Sequence, residues 1–279
     1  SVKAGTELIE ATAHLTFFDL LMFDRSKIVK PLLGLDIDTL RKIEGLMYQP
    51  PMVCKPNDWV NNRDGGCLSV DKHAVLGKGN HHNQKLNLDC LNKLQHIPWV
   101  IDGVIMWQFN KENEHDFKGD NQIFTKYMDT PFYFVWRYDK RGRMYSEGYN
   151  INLQSSEYRK AMISIDKAEV TTPRGIEWLK ISIANAFGLD KRTFKERIKW
   201  FNRKRVFDIS KADDPIIATK MLHAYEQADA DKPIKANMFL DATASGIQVM
   251  AALSECYKTA AAVNMIGDAR EDIYNHVAL

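Results

Sequence analysis

The stretch 237-NMFLDATASGIQVMAALSECYKTAAA-262 contains three patterns that together indicate a strand, a turn and a helix. The apolar run Met238–Leu240 predicts the strand, and Asp241 stands at its end. Small residues then predict a turn, and apolar residues from Ile247 onwards recur at helical spacing. Strand ends commonly hold ligands, and a helix N-terminus offers free amides to phosphate. The pattern predicts a nucleotide–magnesium site, with a simple cap or turn carboxylate as the alternative.

The exact residues of two strings are more specific evidence than the pattern of apolar and polar positions. Phe239-Leu-Asp-Ala-Thr-Ala-Ser-Gly-Ile-Gln248 resembles motif A, the palm motif of phage-type (single-subunit, also mitochondrial) RNA polymerases. Asp139-Lys-Arg-Gly-Arg-Met-Tyr145 resembles a second family string, Asp-x-Arg-Gly-Arg-x-Tyr. In the family this element lies against the template strand and the RNA–DNA hybrid.

The resemblance implies two-metal nucleotidyl transfer with two Mg²⁺ ions at the assembled site. Asp241 is the implied catalytic carboxylate and metal ligand, and the Ala242 carbonyl is a further ligand. Ser245 and Gly246 are expected to line the nucleotide. Tyr274 falls where the family keeps a tyrosine beside the incoming nucleotide.

The second string has chemistry that suits a nucleic-acid strand. Arg141 and Arg143 carry planar forks that bind phosphates, and Tyr145 can stack on a base. These three residues are therefore the expected template or hybrid contacts. A basic hairpin turn without such a role is the alternative.

The resemblance covers about residues 130–279 and implies an α+β fold, a partial polymerase right hand. Residues 1–129 would form a reduced N-terminal or thumb-like region. Residues 130–264 would form the palm portion with motif A, and residues 265–279 the start of the fingers. Motifs B and C do not occur in the chain. A second chain is therefore expected to complete the fold.

A short chain with motif A alone resembles one subunit of the two-chain RNA polymerases of N4-like bacteriophages, whose companion carries the other motifs. The implied partners are that second subunit, the DNA template, the RNA product, NTPs and a phage accessory factor for promoter use. The implied location is the cytoplasm of an infected bacterial host. A non-catalytic nucleic-acid-binding protein and a truncated piece of a longer polymerase are the alternatives.

Composition sets broad limits on the 279-residue chain. A net charge of +2 means that any nucleic-acid surface must be local. No apolar stretch approaches the ~20 residues of a membrane span, and no signal peptide is evident. Free cytosolic thiols are favoured over a zinc site. The zinc candidates lack paired spacing: Cys54, Cys67, His73, His81, His82 and Cys90.

Periodicity also predicts elements away from the two strings. Residues 7–23 and 36–47 are predicted helices, the second capped by Asp36 or Asp38, and residues 48–92 are predicted to be irregular. Residues 97–109 fit a helix or a strand. The His115-Asp116 pair is predicted to lie at the surface. A buried strand is predicted for 131–138, and helices are predicted to begin at Pro173, at Thr193 with a capping box, and at Asp214. The helix from Thr193 is predicted to have a basic outer face that includes Arg197 and an inner side that includes Phe194.

Overall fold

A computed structural model describes residues 18–23, 26–31, 36, 39–40, 49–68, 72–77, 80, 82–111, 114–240, 244–267 and 271–274. The chain divides into two compact units, Ser1–Gln49 and Pro50–Leu279, which are described separately. None of the helices in those ranges is long and apolar enough to cross a membrane.

The first unit contains an antiparallel hairpin of β1 (Phe18–Phe23) and β2 (Ser26–Pro31). The predicted helix over 7–23 is therefore wrong for its last six residues, and its earlier part lies outside the described residues. Periodicity alone does not separate a short apolar strand from a helix. Asp36 caps as predicted, since its Oδ1 accepts the Thr39 amide at 2.9 Å.

The second unit combines helices with two-stranded antiparallel sheets. This mixture agrees with the predicted α+β class. The β3–β4 hairpin lies in a segment predicted to be irregular, and residues 97–109 contain both β5 and helix α2. The six strands are β3 (Asn57–Asn61) with β4 (Asp64–Gly66), β5 (Trp99–Ile101) with β8 (Ile163–Ile165), and β6 (Trp136–Tyr138) with β7 (Met144–Ser146).

The described part of the second unit also contains helices of five to fifteen residues. They are α1 (Leu88–Gln95), α2 (Gly103–Gln108), α3 (Asp120–Lys126), α4 (Glu157–Ala161), α5 (Pro173–Ala184), α6 (Phe194–Arg203), α7 (Pro215–Asp229), α8 (Ser245–Leu253) and α9 (Tyr257–Ala262). Short 3-10 turns occur at His115–Phe117 and Ile209–Lys211. Asp116 is exposed, as predicted.

The aromatic run at 131–138 is at the centre of the core. Phe132 and Phe134 are fully buried and meet edge to face, with ring centroids 5.6 Å apart. Trp99 packs on Phe134 at 6.0 Å. Such aromatic pairs add about 0.5–1.5 kcal/mol each beyond area burial. Burial was predicted correctly, but regular strand structure covers only Trp136–Tyr138.

Helices α5 and α6 begin where their local signals predict. The Thr172 hydroxyl accepts the Gly175 amide at 3.2 Å, and Pro173 occupies the first helical position. Thr193 and Glu196 form the predicted capping box. Helix α5 runs into a π-helical turn that contains Gly188 at φ 78°, where a Cβ would collide with the Asp213 carboxylate.

Helix α7 begins as predicted, but a distant residue caps it. Asp214 makes no side-chain cap bond. Instead, Glu157 Oε1 accepts the amides of Ile216 and Ile217 at 2.6 and 3.1 Å. A carboxylate from α4 thus satisfies two amides that lack helical partners. This contact ties α7 to α4 across 59 residues of sequence.

Candidate nucleotide and nucleic-acid site

The residues just before Asp241 have no regular secondary structure in the described part of the chain. Ile234 is bridged to Glu169, whereas Met238–Leu240 belong to no strand among the described residues. The predicted strand is therefore wrong as a sheet member, because no neighbouring strand in the described chain supplies hydrogen-bond partners. Met238 and Phe239 pack against the core, and Leu240 is exposed.

The implied metal ligands, Asp241 and Ala242, lie outside the described residues. Their assignment stays a prediction. Within the ranges that are described, no group of three or more His, Cys, Asp and Glu side chains could hold a metal ion. A carboxylate and a backbone carbonyl are nevertheless the oxygen donors that Mg²⁺ prefers.

Helix α8 starts at Ser245, which confirms the predicted helix. Ser245 and Gly246, predicted to belong to the preceding turn, are part of the helix, and Ala242 and Thr243 lie outside the described residues. The N-cap residue of α8, Ala244, has φ 129°, a conformation that non-glycine residues seldom adopt. Ser245 and Gly246 are exposed, and apart from its chain neighbours and its own helix backbone no described residue has a heavy atom within 4 Å of a Cβ built on Gly246. In the described part of the chain, the helix start is therefore sterically open.

Tyr274 follows α9 in the sequence, and its side chain is exposed. Its amide donates to Asp272 Oδ1 at 3.0 Å. Just before it, Asn264 and Glu271 exchange two hydrogen bonds of 2.7 and 2.8 Å. Among the described residues, no hydrogen bond or ring contact joins Tyr274 to Ser245. The nucleotide roles of both residues stay predictions.

The Arg-Gly-Arg string forms the turn of the β6–β7 hairpin. Asp139 Oδ1 accepts the amides of Arg141 and Arg143 at 2.8 and 2.9 Å. Gly142 has φ 82°, which glycine adopts without strain. The Arg141 guanidinium donates to Asp139 Oδ2 at 2.9 Å and to the Tyr145 hydroxyl at 3.3 Å. One carboxylate thus fixes both the turn and the Arg141 fork.

The side chains of Arg141 and Arg143 consequently differ in how available they are to bind another molecule. Partial burial of Asp139 opposes its ionisation, but hydrogen bonds from Arg143 and Arg141 outweigh it and lower the Asp139 pKa. Arg141 is committed to this carboxylate. Arg143 and Lys140 are exposed, and within the described chain neither side chain has an ion-pair or hydrogen-bond partner. Among the described residues of this turn, the cations without a side-chain partner are therefore Arg143 and Lys140.

A cleft of about 630 Å³ lies beside this turn. Its apolar lining includes Val75, Leu86 and Tyr138, and the Tyr138 hydroxyl donates to the Asn87 carbonyl at 2.6 Å. Lys140 lies at its rim together with polar side chains. Sequence reasoning did not identify this cleft, because its walls come from segments some fifty residues apart.

Two side chains of the basic helix α6 differ in burial from the prediction. Arg197 was assigned to the outer basic face, yet it is buried. Its guanidinium donates to the carbonyls of Arg192 and Asp190 and to Asn185 Oδ1, at 2.6–2.8 Å. Phe194, predicted to face inward, is exposed instead. The prediction was wrong for both because a guanidinium with three acceptors can be buried, whereas periodicity treats every arginine as external.

A buried lysine was missed altogether. Lys220 Nζ donates to the carbonyls of Ala161 and Ile163 at 2.9 and 2.6 Å, and lies 3.6 Å from Asp102 Oδ2. Burial lowers its pKa to about 8, although Asp102 opposes this shift. Ser164 also donates to Asp102 Oδ2, at 3.3 Å. With three acceptors around one ammonium, Lys220 is a structural group beneath a cleft of about 530 Å³.

Residues 169–279 match the sequence model of the family described as DNA-dependent RNA polymerase. The chain is thus similar to DNA-directed RNA polymerases of phages and mitochondria. The matched range contains the motif A string and Asp241. It does not contain the Asp139–Tyr145 hairpin, whose resemblance rests on its own residues.

Individual relatives extend the similarity. The chain is 26% identical to a probable DNA-directed RNA polymerase of Gelasinospora sp. over 277 residues, covering 84% of this chain and 33% of the relative. It is 29% identical to the polymerase of Pseudomonas phage phiKMV (61% and 24% covered) and to the mitochondrial polymerase of Schizosaccharomyces pombe (58% and 16% covered). The chain therefore spans a third or less of these relatives. The Gelasinospora match also reaches well upstream of residue 130.

Proposed function

We propose that this chain is one subunit of a two-chain, phage-type DNA-directed RNA polymerase, similar to the motif-A-bearing subunit of N4-like bacteriophages. The reaction is template-directed transfer of nucleotidyl groups from NTPs to the RNA 3′ end in the host cytoplasm. The observation that carries this proposal is the family match over 169–279, with Asp241 in the motif A position.

Asp241 and the Ala242 carbonyl would hold Mg²⁺, which supplies activation of the 3′-hydroxyl and stabilisation of the departing pyrophosphate. Around them, Ser245 and Gly246 form an open helix start against which triphosphate oxygens can lie. Tyr274 offers an exposed ring for stacking beside the nucleotide. These residues bind and orient the nucleotide.

The hairpin at 139–145 is proposed to hold the template or hybrid. Asp139 fixes the turn, so that Arg143 and Lys140 face solvent with free charges. Tyr145 is partly exposed and bonded to Arg141, which presents its ring beside the turn. The neighbouring cleft gives an unpaired base an apolar surface next to these cations.

We expect Arg143→Ala to flatten the salt dependence of nucleic-acid binding more than Arg141→Ala. Each lost phosphate contact removes about 0.7–0.9 from the log–log slope. Arg141 gives a smaller change because it is already paired with Asp139. Fluorescence anisotropy with a labelled template–RNA hybrid at several salt concentrations measures the slopes.

Arg174→Ala is the control for this measurement, since Arg174 is another exposed arginine, on α5, whose Nη1 lies 3.9 Å from Glu177 Oε2. Its slope is expected to equal that of the unmodified protein. An unchanged slope for the Arg141/Arg143 double alanine variant would refute a direct phosphate role for the hairpin.

Three features around Asn237 support a companion chain. Met238–Leu240 have no strand partner among the described residues, and Leu240 is exposed. Among the described residues, Asn237 Oδ1 is buried without a hydrogen-bond partner. Backbone without sheet partners invites pairing with another chain, and buried polar atoms are normally satisfied. A strand from the companion would supply donors and acceptors to this segment.

The decisive assay uses an RNA-primed template, NTPs and magnesium. The isolated chain is expected to make no RNA, because one carboxylate with mobile waters does not fix two ions in line. Addition of the companion carrying motifs B and C is expected to start processive synthesis. Synthesis by the isolated chain, lost on Asp241→Asn, would show that no companion is needed.

The same assay separates the rival functions. The free cations of the hairpin favour, as a second candidate, a protein that only binds nucleic acid. Such a protein would bind the hybrid but give no synthesis with any companion. A truncated piece of a longer polymerase would regain activity only when joined to its own continuation.

A further inference from the structure

Helix α8 has an apolar face that is exposed to solvent. Val249, Met250 and Leu253 lie on one side of the helix, since Leu253 follows Val249 by four residues and Met250 by three. Val249, Met250 and Leu253 are 59%, 67% and 82% exposed. Tyr257, at the start of α9, is 77% exposed. We call these four residues the apolar stripe.

The opposite side of α8 is the one that packs within the chain. Ala251 is buried, and Gln248 Nε2 donates to the Val263 carbonyl at 2.8 Å. The Cys256 amide also donates to the Ala251 carbonyl at 3.1 Å. The contacts of α8 with other elements are mainly with α9. These bonds fix the rotation of α8, so the apolar stripe is held outward.

The apolar stripe lies apart from the main hydrophobic core of the chain. Among the described residues, none beyond Phe239 belongs to the main hydrophobic core. Helix α8 is therefore an apolar helix without access to that core. Contiguous apolar surface of this kind marks a contact with another macromolecule.

We propose that the apolar stripe is the docking surface for an apolar helix face of the companion polymerase chain. This inference rests on the proposed function and names the surface through which the companion binds. The stripe carries no charge, so the complementary surface must be apolar as well.

The choice of occupant follows from the length of the relatives. The matched polymerases are at least three times longer than the part this chain covers, so the family fold includes much more chain. The stripe lies inside the family-matched range 169–279 and begins eight residues after Asp241. A second copy of this chain would cover the stripe without adding the missing polymerase sequence.

Site-directed photo-crosslinking tests the proposal on the native complex, purified through a tag on this chain from its natural host. A photo-reactive amino acid replaces Leu253 or, as a control, Val206, which is equally apolar and 79% exposed. Position 253 is expected to crosslink to a peptide of a different polypeptide that carries phage-type polymerase sequence. Position 206 is expected to give no such product.

Other products at position 253 would overturn the proposal: a second copy of this chain, another segment of the same chain, or a protein without polymerase sequence. No crosslink at 253 in a complex that synthesises RNA would reject the docking surface while leaving the proposed function in place. Purification of the chain without a polymerase companion and without RNA synthesis would reject both.

A pair of charge substitutions gives an independent readout. Leu253→Lys is expected to weaken companion binding at least tenfold by sedimentation or biolayer interferometry, whereas Val206→Lys leaves binding unchanged. Because both side chains are exposed, each isolated variant should keep the melting temperature of the unmodified chain. Equal binding by the two variants would contradict the proposal.

Discussion

Asp241→Asn in the assembled enzyme is expected to slow nucleotide addition by about 10²- to 10⁴-fold. A metal supplies several kcal/mol of transition-state stabilisation, and each 1.4 kcal/mol corresponds to a factor of ten. The substitution preserves side-chain size but removes the charge that holds the ion. Single-turnover extension of an RNA primer measures the effect directly.

Two further measurements separate loss of chemistry from loss of structure. Nucleic-acid affinity and the melting temperature of Asp241→Asn should stay close to those of the unmodified enzyme. Asp89→Asn, which alters an exposed carboxylate in the first turn of α1, is the matched control and should extend RNA normally. Near-normal elongation by Asp241→Asn would remove Asp241 from the metal site.

Lys220→Met is expected to lower the free energy of unfolding by about 3–5 kcal/mol, the usual cost of removing one partner from a buried ion pair. The substitution leaves the carbonyls of Ala161 and Ile163 without their donor and Asp102 without its counter-charge. Urea denaturation measures the change. Lys199→Met, on the exposed face of α6, should stay within about 0.5 kcal/mol.

The same lysine predicts a dependence of stability on pH. Its folded-state pKa of about 8 lies below the unfolded value of roughly 10.4, so the unfolded chain binds more protons between these limits. Stability contributed by Lys220 therefore rises as pH increases through this window, by roughly 2–3 kcal/mol. The difference between the unmodified chain and Lys220→Met should grow from pH 8 to pH 10. A flat difference would contradict the lowered pKa.

Local hydrogen bonding explains what could be predicted from the sequence. The starts of α5 and α6 depend on Thr172 and Thr193, whose side chains bond to amides three residues later. The hairpin at 139–145 likewise depends on one turn residue, Asp139. Each signal is complete within a few residues of sequence.

What was missed depends on distant parts of the chain. Arg197 is buried because the preceding turn presents its carbonyls, and Lys220 because α4 and β8 meet α7. The hydrophobic periodicity of a segment carries no information about such contacts with distant segments. The Asp241 site could be predicted from its resemblance to motif A. The lack of strand pairing at Met238–Leu240 in the described chain could not, because it depends on which strands lie nearby in the folded protein.

The hydrogen bonds around Lys220 also have a consequence in time. Lys220 and the Ala161 carbonyl are 59 residues apart, and Glu157 is equally far from the amide of Ile216 that it caps. A ribosome adds roughly 5–20 residues per second, so α4 and β8 emerge roughly 3–12 seconds before the helix that completes them. During that interval the nascent chain exposes apolar strand residues and the carbonyl groups of Ala161 and Ile163, which later bind the Lys220 ammonium. Synthesis of this polypeptide therefore has a vulnerable period that closes only when residues 215–229 leave the ribosome.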